Sequence, residues 1–571
     1  MALSLTQKLL HGALAAGVIT LAGFSTASAS TGYHHCAIDD AGQLKCWGYN
    51  AGGQLGQGNT TQYGDQAGEV ANMSVVDLGT NAQGQQHTVR QVTHGYRYTC
   101  ALLDDNRVKC WGYNRYGRTG HGDSATRGDG PNEMGNNLSY VDLGTGRTAV
   151  HIMSARYSAC AILDNGGVKC WGYNAHGELG QGNTTYRGDN PGEMGDNLAY
   201  TPLGTGRTAV QMAGGYHHKC AVLDNGDVKC WGWGTTGQLG QGNTTNIGDQ
   251  ANEMGDNLNP VNLGTGRTAT MVSVGYQFSC AILDNGGVKC WGENHVGQLG
   301  HGYTTDRGDG AGEMGDSLPY TNLGTNIHAV QIVSGNYHTC ALLDDGRVKC
   351  FGYNAHGQLG QGHNSNLGDN NGEMGDSLPF VDLGAGRTAV ALGVNFHSTC
   401  AALDNGEVKC WGYNPYGNLG TGNTSWYGHT NLPMSSNPGV DLGANFGTPI
   451  DIANSGGVSC TDFDGDGLCD DEDNCPFAAN VGQADTDGDG LGDACDACAN
   501  DATNDADGDG ICQDVDNCIT VANADQTDNN GDGFGDACVS VNADIDPTAT
   551  LGNDLVIGEN AVIGAFARVD D

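Results

Sequence analysis

Short runs of β-branched and apolar residues recur along most of this chain, each pair split by a polar turn. At 160–170 the order is Cys-Ala-Ile-Leu, then Asp-Asn-Gly-Gly, then Val-Lys-Cys. Two β-type runs around an Asp-Asn-Gly turn predict a hairpin. An aromatic-glycine pair and a series of glycine-marked tight turns follow, as in Trp-Gly-Tyr-Asn-Ala-Gly-Gly-Gln-Leu-Gly at 47–56. The alternating segment upstream, Val-Asp-Leu-Gly-Thr-Gly-Arg-Thr-Ala-Val-His-Ile at 141–152, reads as two more short strands. Four strands per copy is the content of a propeller blade.

Seven such hairpins occur, framed by Cys36/Cys46, Cys100/Cys110, Cys160/Cys170, Cys220/Cys230, Cys280/Cys290, Cys340/Cys350 and Cys400/Cys410, and after the first copy the period is sixty residues throughout. A fixed period of this kind marks one supersecondary unit copied many times, each copy unable to bury its apolar face alone. A three-residue turn sets the two cysteines opposite each other, at a separation that suits a disulfide within each hairpin. The first copy lacks the Val-x-Leu-Gly segment that precedes every other hairpin. The last copy is followed by such a segment at 440–452. The missing half has moved to the far end, which predicts a closed ring whose first blade is completed by C-terminal strands.

Export fits the cysteine usage. Lys8 precedes an apolar run at 9–24, and Ala27-Ser28-Ala29 offers a small-residue cleavage site, the pattern of a signal peptide over 1–29. The 22 cysteines of an exported chain are expected to be oxidised, and the hairpin spacing does not match zinc-ligand spacing. No later stretch is long and apolar enough to span a membrane.

The hairpin with its Trp-Gly-x-Asn-x-x-Gly-Gln-Leu-Gly signature resembles the regulator of chromosome condensation repeat family over 31–457. Copy two departs from it at Gly117-Arg118-Thr119-Gly120, and copy five has Glu293 for Tyr. The resemblance implies a seven-bladed β-propeller. Within the near-constant frame one pair of positions varies: Arg115 and Tyr116, Ala175 and His176, Thr235 and Thr236, His295 and Val296, Ala355 and His356, Pro415 and Tyr416. Arg115, Tyr116, His176, His295, His356 and Tyr416 are the candidate partner-binding residues, because aromatic, His and Arg side chains on rigidly held loops suit recognition. Drift at unconstrained loop positions gives variation too, and both readings stand. The histidines before the hairpins (His34, His35, His217, His218, His338, His397) share their place with Tyr98 or Phe278, which reads as packing. Six linkers carry Asp and Glu at matching places: Asp65/Glu69, Asp129/Glu133, Asp189/Glu193, Asp249/Glu253, Asp309/Glu313 and Asp369/Glu373. Turn capping and backbone bonding explain them better than a ring of cation loops. No catalytic signature stands out, and no enzyme is expected.

Beyond about 457 the composition changes. Residues 451–571 hold 29 acids and only Arg568 as a base, a net of −28 out of the chain's −41. The acids alternate as oxygen ligands do in an EF-hand-like loop, with Gly at the sharp turn. Asp462, Asp464, Asp466, Asp470 and Asp473 form the first loop, and Asp485, Asp487, Asp489, Asp493 and Asp496 the second. Asp505, Asp507, Asp509 and Asp516 form the third, with Gln513 at its ninth position. Asp528, Asn530, Asp532 and Asp536 form the fourth, which has Val539 in place of its last acid. Calcium is the cofactor this spacing calls for. With Asp-Asn-Cys and Gly-Asp-Ala-Cys in place, 460–538 resembles thrombospondin type 3 repeats. Under that resemblance the expected pairing is sequential: Cys460/Cys469, Cys475/Cys495, Cys498/Cys512 and Cys518/Cys538. In the tail, Ile545, Leu551, Ile557, Ile563 and Val569 recur every sixth residue. This resembles hexapeptide left-handed β-helix repeats, too few here for a stable solenoid.

The expected organisation is all-β: a signal peptide at 1–29, a seven-bladed propeller at 30–457, calcium-binding repeats with little regular secondary structure at 458–540, and a short left-handed β-helix-like tail at 541–571. The functional expectation is a secreted or cell-surface, periplasmic or extracellular, calcium-dependent binding or adhesion protein whose propeller recognises a protein or glycan. Alternatives are guanine nucleotide exchange, implied by eukaryotic propellers of the family, and enzyme inhibition or glycan-active catalysis by a secreted propeller. The strong acidity argues against nucleic-acid binding.

Overall fold

The computed structural model describes residues 33–452 and, beyond them, 474–475, 484, 486, 492–496, 498–499, 511–512, 515–518, 521, 526–527, 544–545 and 562–563. The candidate signal segment lies outside the described residues. The chain divides into two compact units, Met1–Ser459 and Cys460–Asp571.

Seven small antiparallel sheets make up the first unit, one per hairpin, and they are numbered here as blades 1 to 7 in the order of their cysteine pairs. Blade 3 shows the plan. Strand Ala149–Ser154 pairs with Ser158–Leu163, which pairs with Val168–Gly172. A fourth strand per blade is expected from the sequence, yet among the described residues only Tyr200–Thr201, on the outer edge of blade 3, is one. Elsewhere the segment makes a single ladder contact, such as Val141 N–H to Val108 O at 2.8 Å, or one bridge, such as Val288 with Thr321. Turn chemistry stops it: Asp142 Oδ1 accepts the Gly144 N–H at 3.0 Å, and Gly144 sits at φ +112°, so the chain turns away after one bond.

The hairpins take the register that the turn demands. Cys160 lies opposite Cys170, and Gly166 closes the turn at φ +71°, where a Cβ would stand 2.5 Å from Thr208. Each hairpin pair is a disulfide within its own blade. Cys36 is bonded to Cys46, Cys100 to Cys110, Cys160 to Cys170 and Cys220 to Cys230. Cys280 is bonded to Cys290, Cys340 to Cys350 and Cys400 to Cys410. The Cα atoms of these pairs are 3.9 to 4.1 Å apart, the close approach of directly opposed residues at a non-hydrogen-bonded position. Ring closure uses one displaced strand, not a half-blade, because the Val440 N–H bonds to Val408 O of blade 7 at 2.8 Å. Strand His34–Asp39 pairs on one side with Leu44–Gly48 and on the other with Pro449–Ile452, Ala37 facing Ile452.

Packing between blades is as repetitive as the sequence. Trp47, Trp111, Trp171, Trp231, Trp291, Phe351 and Trp411 are wholly buried. Each burial stabilises by about 1.5–3 kcal/mol or more. Every indole N–H is satisfied by a carbonyl of the preceding blade, for example Trp111 to Gln54 at 2.9 Å and Trp231 to Glu178 at 3.1 Å. The Lys before the second hairpin cysteine is buried as well in blades 1 to 6 (Lys45, Lys109, Lys169, Lys229, Lys289 and Lys349), and Lys409 of blade 7 is half-buried. Lys109 Nζ donates to the carbonyls of Leu78 and Gly135, both at 2.8 Å, and burial lowers its pKa to about 8. These ammonium groups satisfy loop carbonyls that would otherwise be buried unpaired.

In the second unit Cys475 is joined to Cys495 and Cys498 to Cys512, with Cα atoms 5.5 Å apart in both, and Cys518 is disulfide-bonded. Cys460, Cys469 and Cys538 lie outside the described residues. In the tail, Asp544–Ile545 pairs in parallel with Val562–Ile563, Asp544 facing Val562. That offset is three hexads, one coil of a hexapeptide helix.

Candidate recognition face

The residues just before the second strand of each blade include a large side chain at one of two adjacent positions, and these side chains gather on one face of the propeller. Tyr33, Tyr96, Tyr157, Tyr216, Tyr276, Tyr337 and Phe396 are all half-buried. Main-chain bonds hold their connections together across blades: Tyr96 N–H to Arg156 O and Arg156 N–H to Gly215 O, both 3.1 Å, and Tyr276 N–H to Asn336 O at 3.2 Å. Ring centroids lie 4.4 Å apart for Tyr216 and Tyr276, 5.2 Å for Tyr276 and Tyr337, and 5.4 Å for Tyr33 and Phe396. Within this collar the Arg156 guanidinium stands 3.7 Å over Tyr216, 4.9 Å over Tyr157, 5.1 Å over Tyr96 and 5.8 Å over Phe396, touching blades 2, 3, 4 and 7. Its Nε is buried without a hydrogen-bond partner. Burial pushes the phenols of Tyr33, Tyr173, Tyr216 and Tyr337 up to about 12, so they stay neutral donors at physiological pH.

The six sequence candidates join this surface as an outer tier. Tyr116 packs on Tyr157, Tyr173 and Tyr186, under the Arg115 guanidinium at 4.7 Å. His176 meets His217 and stacks on Trp233, and His356 meets His397, Tyr413 and Trp426. Tyr416 reaches Tyr33 and Tyr49. His295 lies against Tyr337 and pairs with Glu293 at 3.2 Å, which raises its pKa. The collar itself is absent from the sequence candidates.

The remaining polar positions act in the framework. His34, His35, His218 and His338 are fully buried and bond to hydroxyls of other blades, such as His218 Nε2 with Ser279 Oγ at 2.9 Å. In each linker the Glu carboxylate accepts two backbone N–H groups; for Glu133 these are Gly128 at 2.9 Å and Gly130 at 2.8 Å. Burial, then a hydrogen bond to that Glu, raises the pKa of Asp65, Asp129, Asp189, Asp309 and Asp369.

Of the calcium-loop residues, Asp493, Asp496 and Asp516 are described. Asp462, Asp464, Asp466, Asp470, Asp473, Asp485, Asp487, Asp489, Asp505, Asp507, Asp509, Asp528, Asn530, Asp532 and Asp536 lie outside the described residues. Asp496 Oδ1 accepts the Cys498 N–H at 2.7 Å, while Oδ2 is buried with no hydrogen-bond partner. A buried carboxylate oxygen without a proton donor fits a cation ligand. Asp493 bonds to Thr486 through both oxygens at 2.7 Å, and Asp516 accepts from Cys518 and Gln526. No helix among the described residues is long and apolar enough to cross a membrane.

Comparison with known proteins finds two kinds of repeat in the chain. The regulator of chromosome condensation (RCC1) repeat matches 89–118, 209–238, 271–298, 329–358 and 388–418, and in a second form 225–282 and 285–342. The thrombospondin type 3 repeat matches 456–483, 484–526 and 527–549. The ultraviolet-B receptor UVR8 of Arabidopsis thaliana is 27% identical over 409 residues, covering 69% of this chain and 78% of UVR8. The E3 ubiquitin-protein ligase HERC2 of Homo sapiens is 24% identical over 292 residues, 51% of this chain, which spans only 5% of HERC2. Yeast RCC1 (Prp20), solved bound to Kap60, shares the fold at 19% identity with a TM-score of 0.53, over 77% of this chain and 91% of that one. The chain therefore carries regulator of chromosome condensation repeats folded as a seven-bladed propeller, followed by thrombospondin type 3 repeats.

Proposed function

We propose that this is an exported calcium-binding protein, acting in adhesion or another surface interaction, that recognises an extracellular protein or glycan through the aromatic face of its propeller. The observation that carries the reading is the collar with Arg156 at its centre. Rigid, half-buried aromatic rings bring large contact area at little entropic loss, and a buried guanidinium Nε without a partner is a donor in want of an acceptor. Disulfides and thrombospondin type 3 repeats fit an oxidising, calcium-rich compartment. Calcium, when bound, would neutralise the acidic segment, with Asp493, Asp496 and Asp516 among the residues that hold it.

The test is retention on native cell surfaces and medium proteins, with calcium present, of the full chain and of an Arg156→Ala/Tyr216→Ser variant. The variant should lose most of the retention while its thermal unfolding stays cooperative. Equal retention by both would refute the face. Nucleotide exchange on a small GTPase, or turnover on a polysaccharide panel, would overturn the binding reading.

A further inference from the structure

One blade departs from the framework at a buried position. Where the other copies have Gln54, Arg118, Gln238, Gln298, Gln358 and Asn418, blade 3 has Glu178, 1% exposed. In the glutamine copies Oε1 accepts a backbone N–H two residues back, as Gln358 does from His356 at 2.9 Å, and the Nε2 of Gln54, Gln238, Gln298 and Gln358 is buried without a partner. Glu178 keeps the first contact, Oε2 accepting the His176 N–H at 2.8 Å. Its second oxygen takes the place of the partnerless amide nitrogen and meets His217 Nδ1 at 2.8 Å. His176 closes the group, its ring 5.1 Å from that of His217 and stacked on Trp233. One donor atom each from His176, Glu178 and His217 lies within 4.8 Å of the other two.

We propose that His176, Glu178 and His217 form a binding site for a divalent transition-metal ion of the zinc class on the aromatic face. Two imidazoles and one carboxylate are a common ligand set for such ions, and three protein ligands leave a fourth position for water or a donor from a bound partner. His217 supplies Nδ1 when its proton moves to Nε2. The buried Lys219 is turned elsewhere, donating to the Glu178 main-chain oxygen at 2.8 Å and to Ser158 Oγ at 2.7 Å. Blade 6 supplies an internal control. His356 and His397 repeat the pair at 5.2 Å between rings, but the third member is Gln358, an amide, and both Nδ1 atoms are buried without a partner. The other candidate group, His87 with Asp104 and Asp105, has one imidazole whose two nitrogens already bond to Asp104 and Tyr140, and Asp105 is paired with Arg107.

The experiment is cobalt titration of the untagged full chain in excess calcium, which fills the acidic loops, followed by the visible bands of four-coordinate Co2+ and by competition with Zn2+. The wild-type protein should show one such site. Glu178→Gln recreates the blade 6 set, and His176→Ala removes one imidazole. Each should weaken binding by more than about 100-fold, beyond the loss typical when a residue merely orienting a ligand is removed. Gln358→Glu should add a second equivalent. The absence of a visible site in the wild type, full binding by Glu178→Gln, or no second equivalent in Gln358→Glu would each overturn the assignment.

Discussion

His151→Gln should stabilise the propeller, and more so in acid. His151 is 1% exposed, and neither ring nitrogen has a hydrogen-bond partner. In alternate blades the same place is held by Gln91, Gln211 and Gln331, each pairing its side-chain amide with one residue of the next blade. Gln91 bonds to the Ile152 O and N–H at 2.8 and 2.9 Å, and Gln211 to those of Val272 at 3.0 Å each. Gln331 does the same with Leu392 at 3.2 and 2.8 Å. By that spacing a glutamine at 151 faces the backbone of Met212. Two hydrogen bonds gained at about 0.5–1.5 kcal/mol each give about 1–3 kcal/mol near neutrality. The second part comes from proton linkage. Burial lowers the pKa of His151 from 6.5 to about 3. A histidine depressed on folding costs nothing above its unfolded pKa and destabilises increasingly as pH falls toward the folded one. At about pH 5 that is 1.5 units at about 1.36 kcal/mol each, or about 2 kcal/mol. Urea unfolding with disulfides intact, at about pH 7.5 and about pH 5, measures both parts. No gain at either pH refutes the bonding argument. An equal gain at both refutes the claim that burial keeps this ring neutral.

Chelating calcium in the full chain should make the segment after residue 459 sensitive to protease while the propeller, held by its own burial and disulfides, stays resistant; limited proteolysis with mass spectrometry reads the boundary, and an unchanged digest would refute a calcium-built segment. Replacing Cys160 and Cys170 together by Ala opens a loop with a sequence separation of 10 and should cost about 2.7 kcal/mol in the chain-entropy account, seen as a lower urea midpoint. Arg127 beside Asp123 holds that carboxyl at about 2 instead of 3.8, so its stabilisation is complete above 3.8 and is lost as pH falls through 2. The stability gap between wild type and Asp123→Asn should therefore be constant near neutrality and close in strong acid; a gap independent of pH would refute the pairing.

The architecture was legible because the period repeats the same turn and cysteine register seven times, with a tryptophan in six copies and Phe351 in the other, and because the strand missing before 33 reappears at 449–452. Strand count was harder. Val141 and Leu143 alternate like strand residues, but Asp142 and Gly144 end the segment after one bond. The collar escaped notice because its side chain moves between two adjacent positions, Tyr96 in one blade and Tyr157 or Tyr337 in others, and mixes Tyr, Phe and Arg, so no single column stands out. Glu178 was visible as the one acid in a column of amides and an arginine. Its meaning depends on His217, 39 residues on, and only folding brings them together. The buried lysines were in plain view too, but a lysine between Val and Cys reads as solvent-facing until the carbonyls of the next loop are placed over it.

Ring closure through Pro449–Ile452 also dictates an order of assembly. Blades 2 to 7 each complete their sheet from a contiguous stretch and can form as the chain emerges. The hairpin of Cys36 and Cys46 is synthesised first and finished last, because Ala37 must wait for Ile452. Until then the edge of His34–Asp39 stays open, and bringing the two ends of the arc together is the slow, entropically costly event. A chain truncated before 449 should therefore be more than a shorter propeller: it would be an arc with one unpaired strand edge, prone to borrow the missing strand from a second copy.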